Sequence, residues 1–247
     1  HARAVQAYRA CGGKGQIGIT LNLGPQQPAS QSSQDRAAAD RAHAYLNRLF
    51  LDPIFQGQYP QVLVDWFQDS WPNLPEEDLE ELRTPVDFLG VNYYTRRVLR
   101  YAPGEGPVHA AGVPQDAPHT AMGWEVYPQG LYELLVWIRD TYGNPTVYIT
   151  ENGAAFEDTL SATGEVDDPD RLEYLRRHFA QAHRAIQDGV DLRGYFVWTL
   201  MDNFEWAHGY SKRFGIVYTD YPTQHRVVKR SGRWYAQVIA HNAVDEA

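Results

Sequence analysis

Cysteine is nearly absent from this 247-residue chain: Cys11 stands alone, which excludes an internal disulfide and a thiolate metal cluster. That scarcity fits a reducing cytoplasm, the compartment expected here, although a cysteine-poor exported protein would look the same. Long apolar runs are missing too. No stretch approaches the ~18 apolar residues of a membrane span, and no signal-peptide pattern is read at the first residues. Basic charge is in deficit, with 22 Lys and Arg against 31 Asp and Glu, and no Lys/Arg run exceeds two residues. Nucleic acid and anionic membrane both want a basic face, so neither is expected as a partner. A glycine-rich phosphate loop is also wanting, because Gly12-Gly13-Lys14-Gly15 precedes a strand-like run instead of following one.

What is abundant is aromatic: 7 Trp and 16 Tyr. Their flat apolar faces with a polar handle suit pyranose rings, and they suit a large aromatic core equally well.

Along the chain, helix-like and strand-like segments alternate. His1 to Ala10 has helical character and is stopped by the glycines after Cys11. Gln16 to Leu23 is an apolar, β-branched run suited to a buried strand, broken by Gly24-Pro25. A polar Gln/Ser-rich loop leads to a helix expected from about Ser33 to Phe50, with Ala38, Ala42, Tyr45, Leu46 and Leu49 near one face. After Asp52-Pro53 and an aromatic stretch through Trp66 and Trp71, Val86 to Tyr94 reads as the second strand, and Ala102 to Pro118 as loop. Leu131, Leu134, Leu135 and Ile138 recur at helical spacing until Gly143-Asn144-Pro145. Thr146 to Thr150 is the third strand. Asp167-Asp168-Pro169 predicts a capped helix start, with Leu172, Leu175, Phe179, Ala182 and Ile186 as the inner stripe and Gly189 as the end. Gly194 to Leu200 is the fourth strand, and an aromatic helix with Trp234, Tyr235, Val238 and Ile239 follows. Strands alternating with helices imply parallel βαβ units. Four of them with long loops match half of a (β/α)₈ barrel better than the rival, an open doubly wound sheet.

Three clusters fall at strand ends, where barrel enzymes place catalytic groups. Tyr148-Ile149-Thr150-Glu151-Asn152-Gly153 puts a carboxylate there, although Asn-Gly is also a hairpin dipeptide. A polar loop and then a helix follow it, which weakens the hairpin reading. Trp198 to Trp206 alternates aromatics with Asp202 and Glu205, able to stack a sugar and accept from its hydroxyls, or simply to pack. Asn92-Tyr93-Tyr94 offers a tyrosine hydroxyl that could donate to a neighbouring carboxylate, or be a core tyrosine.

Three runs then carry a resemblance over nearly the whole chain: Val147 to Gly153, Gly194 through Tyr218, and Met122-Gly123-Trp124-Glu125-Val126-Tyr127-Pro128. The sequence resembles glycoside hydrolase family 1, the β-glucosidase/β-galactosidase family. The resemblance implies the C-terminal half of a (β/α)₈ barrel, strands five to eight, as a single domain over residues 1–247. It implies a retaining β-glycosidase acting on a β-glycoside without metal or organic cofactor. Glu151 would be the nucleophile and Tyr94 its hydrogen-bond partner, with Asn92 supporting that region. Glu205 would accept from two sugar hydroxyls, Trp206 would donate beside it, Trp198 would floor the ring and Phe214 would help close the pocket. Trp124, and with it Asn22, would border the leaving-group side. The Glu205-Trp206 pair looks like the version that reads an unmodified sugar, although Lys212 lies near enough to be mistaken for a phosphate ligand.

Retaining hydrolysis uses two carboxyls about 5–5.5 Å apart. The family's acid/base glutamate lies in an Asn-Glu-Pro motif at the end of the fourth barrel strand, and no Asn-Glu-Pro occurs in these 247 residues. Four parallel strands cannot close a barrel. The resemblance therefore implies a partner chain, an N-terminal half carrying that glutamate, with an isolated half-barrel or two copies paired through their open edges as the other arrangements. A fragment that binds glycans or serves as a scaffold without catalysis is the alternative.

Overall fold

The computed structural model describes residues 1–244. The chain opens with helix α1 (Ala2–Ala10), strand β1 (Gly18–Asn22) and the short β2 (Gln26–Pro28). One continuous helical stretch follows, made of α2 (Ser33–His43), a π-helical turn (Ala44–Arg48) and α3 (Leu49–Phe55). Helices α4 (Gln61–Phe67) and α5 (Glu76–Leu82) lead to β3 (Phe88–Asn92), β4 (Arg97–Tyr101) and β5 (Ala110–Gly112). Then come α6 (Gln129–Tyr142), β6 (Val147–Asn152), α7 (Pro169–Gln187) and β7 (Leu192–Val197). The hairpin β8 (Val217–Thr219) and β9 (Arg226–Val228) precedes α8 (Arg230–His241).

The four expected strands form one sheet in the order β1-β3-β6-β7, every pairing parallel. Strand order follows chain order, so each crossover carries its helices over the same face. On that face Leu89, Val91, Val147 and Ile149 are fully buried against Leu131, Leu134, Leu135 and Ile138 of α6 and Ala182 and Ala185 of α7. A second cluster joins Tyr174, Leu175 and Phe179 of α7 to Ile216 and to Trp234, Tyr235 and Val238 of α8.

The opposite face is uncovered. Along it Thr20, Gly90 and Thr150 share a row: a Cβ at Gly90 would meet the Thr20 hydroxyl at 2.3 Å and the Thr150 side chain at 2.9 Å. Phe88 meets Tyr148 edge-on at 5.3 Å, and Phe196 beyond them is 57 % exposed. Strands β1 and β7 each have a neighbour on one side only. No helix among the described residues is long and apolar enough to cross a membrane.

Several expectations need correction. The helix expected to end at Phe50 runs on to Phe55 with Pro53 inside it; Asp52 and Pro53 are buried, and Asp52 is held by Arg48 and the Tyr142 hydroxyl. The aromatic stretch contains α4 and α5, and the segment expected as loop contains β5, which pairs antiparallel with β4 while β4 pairs with β2. Asp168 does not cap α7 with its side chain, because that carboxylate is taken by Arg171 and Ser231. Ile186 is 47 % exposed, since the small Ala182 and Ala185 take the contact toward α6. Ile239 also faces solvent. The last core strand starts at Leu192 and ends at Val197, short of Leu200.

Leu135→Ala is expected to lower the unfolding free energy by about 2–5 kcal/mol in urea denaturation, because the cavity it leaves cannot collapse. Ile186→Ala should cost under about 1 kcal/mol. A pH effect follows from His178, fully buried and stacked on Tyr174 at 3.9 Å. Its Nδ1 donates to the Tyr174 carbonyl at 2.7 Å and its Nε2 has no partner, so burial drives the imidazole pKa down to about 3. The folded state holds it neutral while the unfolded chain protonates near 6.5. Stability is therefore full above that pH and falls by up to about 1.4 kcal/mol per pH unit from this group as the pH drops toward 3. His178→Phe should flatten that acid limb of the stability profile.

Candidate active site

Strand β6 alternates as a strand must, Val147 and Ile149 facing the helices and Tyr148 and Thr150 the uncovered side. Continued alternation would send Glu151 back among the helices. The register shows why it does not: Val91 pairs with Ile149 but Asn92 with Glu151, and Tyr195 pairs with Ile149 but Val197 with Asn152. One residue is inserted in β6 relative to both neighbours, a β-bulge that re-aims a side chain. Thr150 and Glu151 thus face the same side in succession, while Asn152 turns inward and is fully buried.

The Tyr94 hydroxyl donates to Glu151 Oε2 at 2.6 Å. Burial first, and then the hydrogen bond and charge of Glu151, push the Tyr94 hydroxyl far above its ordinary range, so it remains a donor. Beneath this pair Asn152 Nδ2 donates to the Tyr93 carbonyl at 2.8 Å and to the Tyr174 hydroxyl at 3.0 Å, and its Oδ1 accepts from Tyr195. Tyr174 in turn donates to the Tyr94 carbonyl at 3.2 Å. The Asn152-Gly153 dipeptide is not a hairpin. Gly153 is where the Trp198 carbonyl crosses, 1.7 Å from where a Cβ would stand, so the ends of β6 and β7 meet through a position only glycine fits.

The opposite wall follows β7. Trp198, whose peptide to Thr199 is cis, lies beside Glu205 and Trp206. Phe214 is buried, with Tyr94 at 6.4 Å and Trp124 at 6.1 Å between ring centres. This wall is pinned by charge. Asp202 accepts from Arg213 (2.6 Å), Lys229 (2.9 Å), the Gly215 amide (2.9 Å) and the Thr219 amide (3.3 Å). Lys229 also donates to Asp158 at 2.7 Å; Asp158 takes Arg171 at 2.9 Å, and Arg171 takes Asp168 at 2.6 Å. Three carboxylates balance three cations, and the side chains of Asp158, Asp202 and Lys229 are wholly buried. Burial and the nearby Arg171 lower the Lys229 ammonium, against the pull of Asp158 and Asp202.

Between the walls lies an open cavity of about 550 Å³. Glu151, Tyr94, Trp124, Trp198, Glu205, Trp206 and Phe214 all line it, and so does Asn22. Asn92 does not; its carbonyl oxygen accepts from the Thr150 hydroxyl at 2.6 Å, bracing the strand beside Glu151. Trp206 is 81 % exposed, so its indole is a rim group more than a buried one. Lys212 donates to the Ala121 carbonyl at 2.6 Å and so ties the two loops together.

The cavity also takes Leu23, Gly24, Gln26, Leu46, Asn47, Thr95 and Arg97, none of which the sequence marked as site residues. Leu46 and Asn47 lie on the π-helical turn, a widening of the helix frequent at functional sites. Asn47 is fully buried and grips Gly24 through both its amide and its carbonyl. Its position in a helix of otherwise ordinary spacing gave no sign of that. Among the described residues no group of three or more His, Cys, Asp or Glu is placed to hold a metal ion.

A four-stranded parallel sheet with helices on one face, and an acid-and-aromatic cleft at the carboxyl ends of its strands, defines half of a (β/α)₈ barrel. The chain belongs to glycosyl hydrolase family 1, whose family model matches residues 1–244. Beta-glucosidase A of Thermotoga maritima is 47 % identical over 247 residues, all of this chain and 55 % of that protein. Beta-glucosidase A of Acetivibrio thermocellus is 42 % identical over 98 % of this chain and 55 % of its own. The structure of the family 1 β-glucosidase from Thermotoga maritima superposes with a TM-score of 0.94 at 46 % identity, covering 100 % of this chain and 55 % of that one. The chain thus spans about half the length of these relatives.

Asp202→Ala would leave the buried Lys229 and the half-buried Arg213 without their shared carboxylate. It is expected to destabilise the fold by about 3–5 kcal/mol, read by thermal or urea unfolding. Removing Glu105, whose pair with Arg100 is solvent-exposed, should change little in the same assay.

Proposed function

We propose that this chain provides the nucleophile and glycone wall of a retaining β-glycosidase acting on terminal, non-reducing β-D-glucosides. The observation that carries the reading is the 2.6 Å hydrogen bond from Tyr94 to Glu151, at a bulge that aims the carboxylate into the cleft. A carboxylate with one oxygen held by a donor that stays protonated keeps the other free to attack the anomeric carbon. In this reading Glu151 displaces the aglycone oxygen and forms a glycosyl ester. A glutamate on a complementary N-terminal half-barrel chain protonates the departing oxygen, then deprotonates the water that cleaves the ester, and configuration is retained. Glu205 accepts from two sugar hydroxyls and Trp206 donates beside it. Trp198 carries the apolar face of the ring, Phe214 and Tyr94 close the pocket, and Trp124 with Asn22 faces the leaving group. Lys212 is occupied by the Ala121 carbonyl, which favours an unmodified sugar over a 6-phosphosugar. No metal or organic cofactor enters this chemistry.

Native mass spectrometry of the purified protein comes first: a complex of this chain with a second chain that contains Asn-Glu-Pro is the expected species. In that complex Glu151→Gln should reduce hydrolysis of 4-nitrophenyl β-D-glucoside by on the order of 10⁴-fold, while deoxynojirimycin still binds. Undiminished hydrolysis in the variant overturns the nucleophile assignment. Sugar binding without turnover in the unaltered complex would instead favour a glycan-binding role.

A further inference from the structure

The cleft that holds Glu151 continues into a second depression of about 440 Å³, and the two share Thr95, Arg97 and Trp124 as a common wall. Its remaining charges and dipoles are largely spoken for. Arg96 grips Glu125 with two prongs, at 2.9 and 2.8 Å, donates to Gln27 at 2.6 Å and lies 3.7 Å over the Tyr127 ring. The Gln115 amide donates back to its own loop, at the Val113 and Pro114 carbonyls. Arg97 differs. Its backbone is fixed, since its amide donates to the Pro25 carbonyl at 2.9 Å and β4 pairs with β2. Its side chain is exposed and forms no salt bridge among the described residues, in a chain with nine more acidic than basic groups. With Arg96 and Glu125 cancelling, Arg97 leaves this depression with an uncompensated positive charge.

We propose that the second depression is a leaving-group subsite for an aglycone bearing an anionic group, with Arg97 as its specificity-determining residue. The proposal rests on the reading of Glu151 as the group that meets the sugar. The two negative side chains of the main cavity, Glu151 and Glu205, oppose an anion at that end, so a substrate with one charged end is oriented with that end at Arg97. Trp124, on the shared wall, offers a face for the ring between the sugar and the charge. The guanidinium presents a planar fork that matches a carboxylate two-pronged.

The test is an NMR titration of the complex of this chain with its N-terminal half, carrying Glu151→Gln so that neither ligand is consumed, with 4-carboxyphenyl β-D-glucoside and its neutral isostere, 4-carbamoylphenyl β-D-glucoside. Because Arg97 is exposed, the acid should bind about two- to fivefold tighter at low salt, and the preference should vanish by roughly 0.5 M salt. Arg97→Ala should equalise the two ligands at every salt concentration and leave the melting temperature unchanged. Arg97→Lys should keep part of the preference. Equal affinities in the complex with Arg97 in place, or a preference that survives Arg97→Ala, overturn the proposal while leaving the sugar site standing. Failure of both glucosides to bind overturns the reading of the cleft and this proposal with it.

Discussion

Side chains on a strand alternate, and by that rule a glutamate two residues beyond helix-facing Ile149 belongs among the helices. The inserted residue in β6 breaks the rule at one place and turns Glu151 toward the cleft. Everything else at the strand ends is arranged around this break. Asn152 is thrown inward by the same step, and there it collects Tyr93, Tyr174 and Tyr195, an aromatic-polar knot that fixes the backbone on which Tyr94 rides. Thr150, left on the uncovered side, braces against Asn92 on the next strand. The bulge thus serves position and support together, and Gly153 lets the following loop pass under Trp198 at contact distance.

The scaffold was legible where one physical signal dominated. Val147, Ile149, Leu89 and Val91 sit in short apolar runs bounded by glycine, proline or asparagine, and those runs became the buried strands. Helix α6 ended where a glycine could adopt the left-handed conformation, at Gly143. Legibility failed where partners are distant or the signal is mixed. Asp168 before Pro169 has the spelling of a cap, yet a cation three residues on and Ser231, 63 residues away, outbid the helix amides for its oxygens. The strand β5 lies within a Gly/Pro/Ala-rich segment that carries almost no strand propensity, and it exists through pairing with β4. At the site, Glu151, Tyr94 and the aromatic walls were marked by their strand-end positions, while the roles assigned to them came from family resemblance. Asn47 and Arg97 carried no mark: one depends on a π-helical turn, the other on which neighbours are already paired.

The uncovered sheet face has the layering of a barrel interior without the other side. Thr20, Gly90 and Thr150 form one layer, with Phe88 and Tyr148 below it. Filled barrels stack such layers from alternate strands, and here each layer stops at the free edges of β1 and β7. The share of the relatives' length that the chain spans, 55 %, fits this geometry.

The six-charge network of Asp158, Asp168, Asp202, Arg171, Lys229 and Arg213 joins the loop after β6, the start of α7, the loop after β7 and the entry to α8. Its charges sum to zero using residues of this chain alone. The wall that carries Trp198, Glu205 and Phe214 is thus locked from behind by its own chain, and its shape draws no charge from the free edges of β1 and β7.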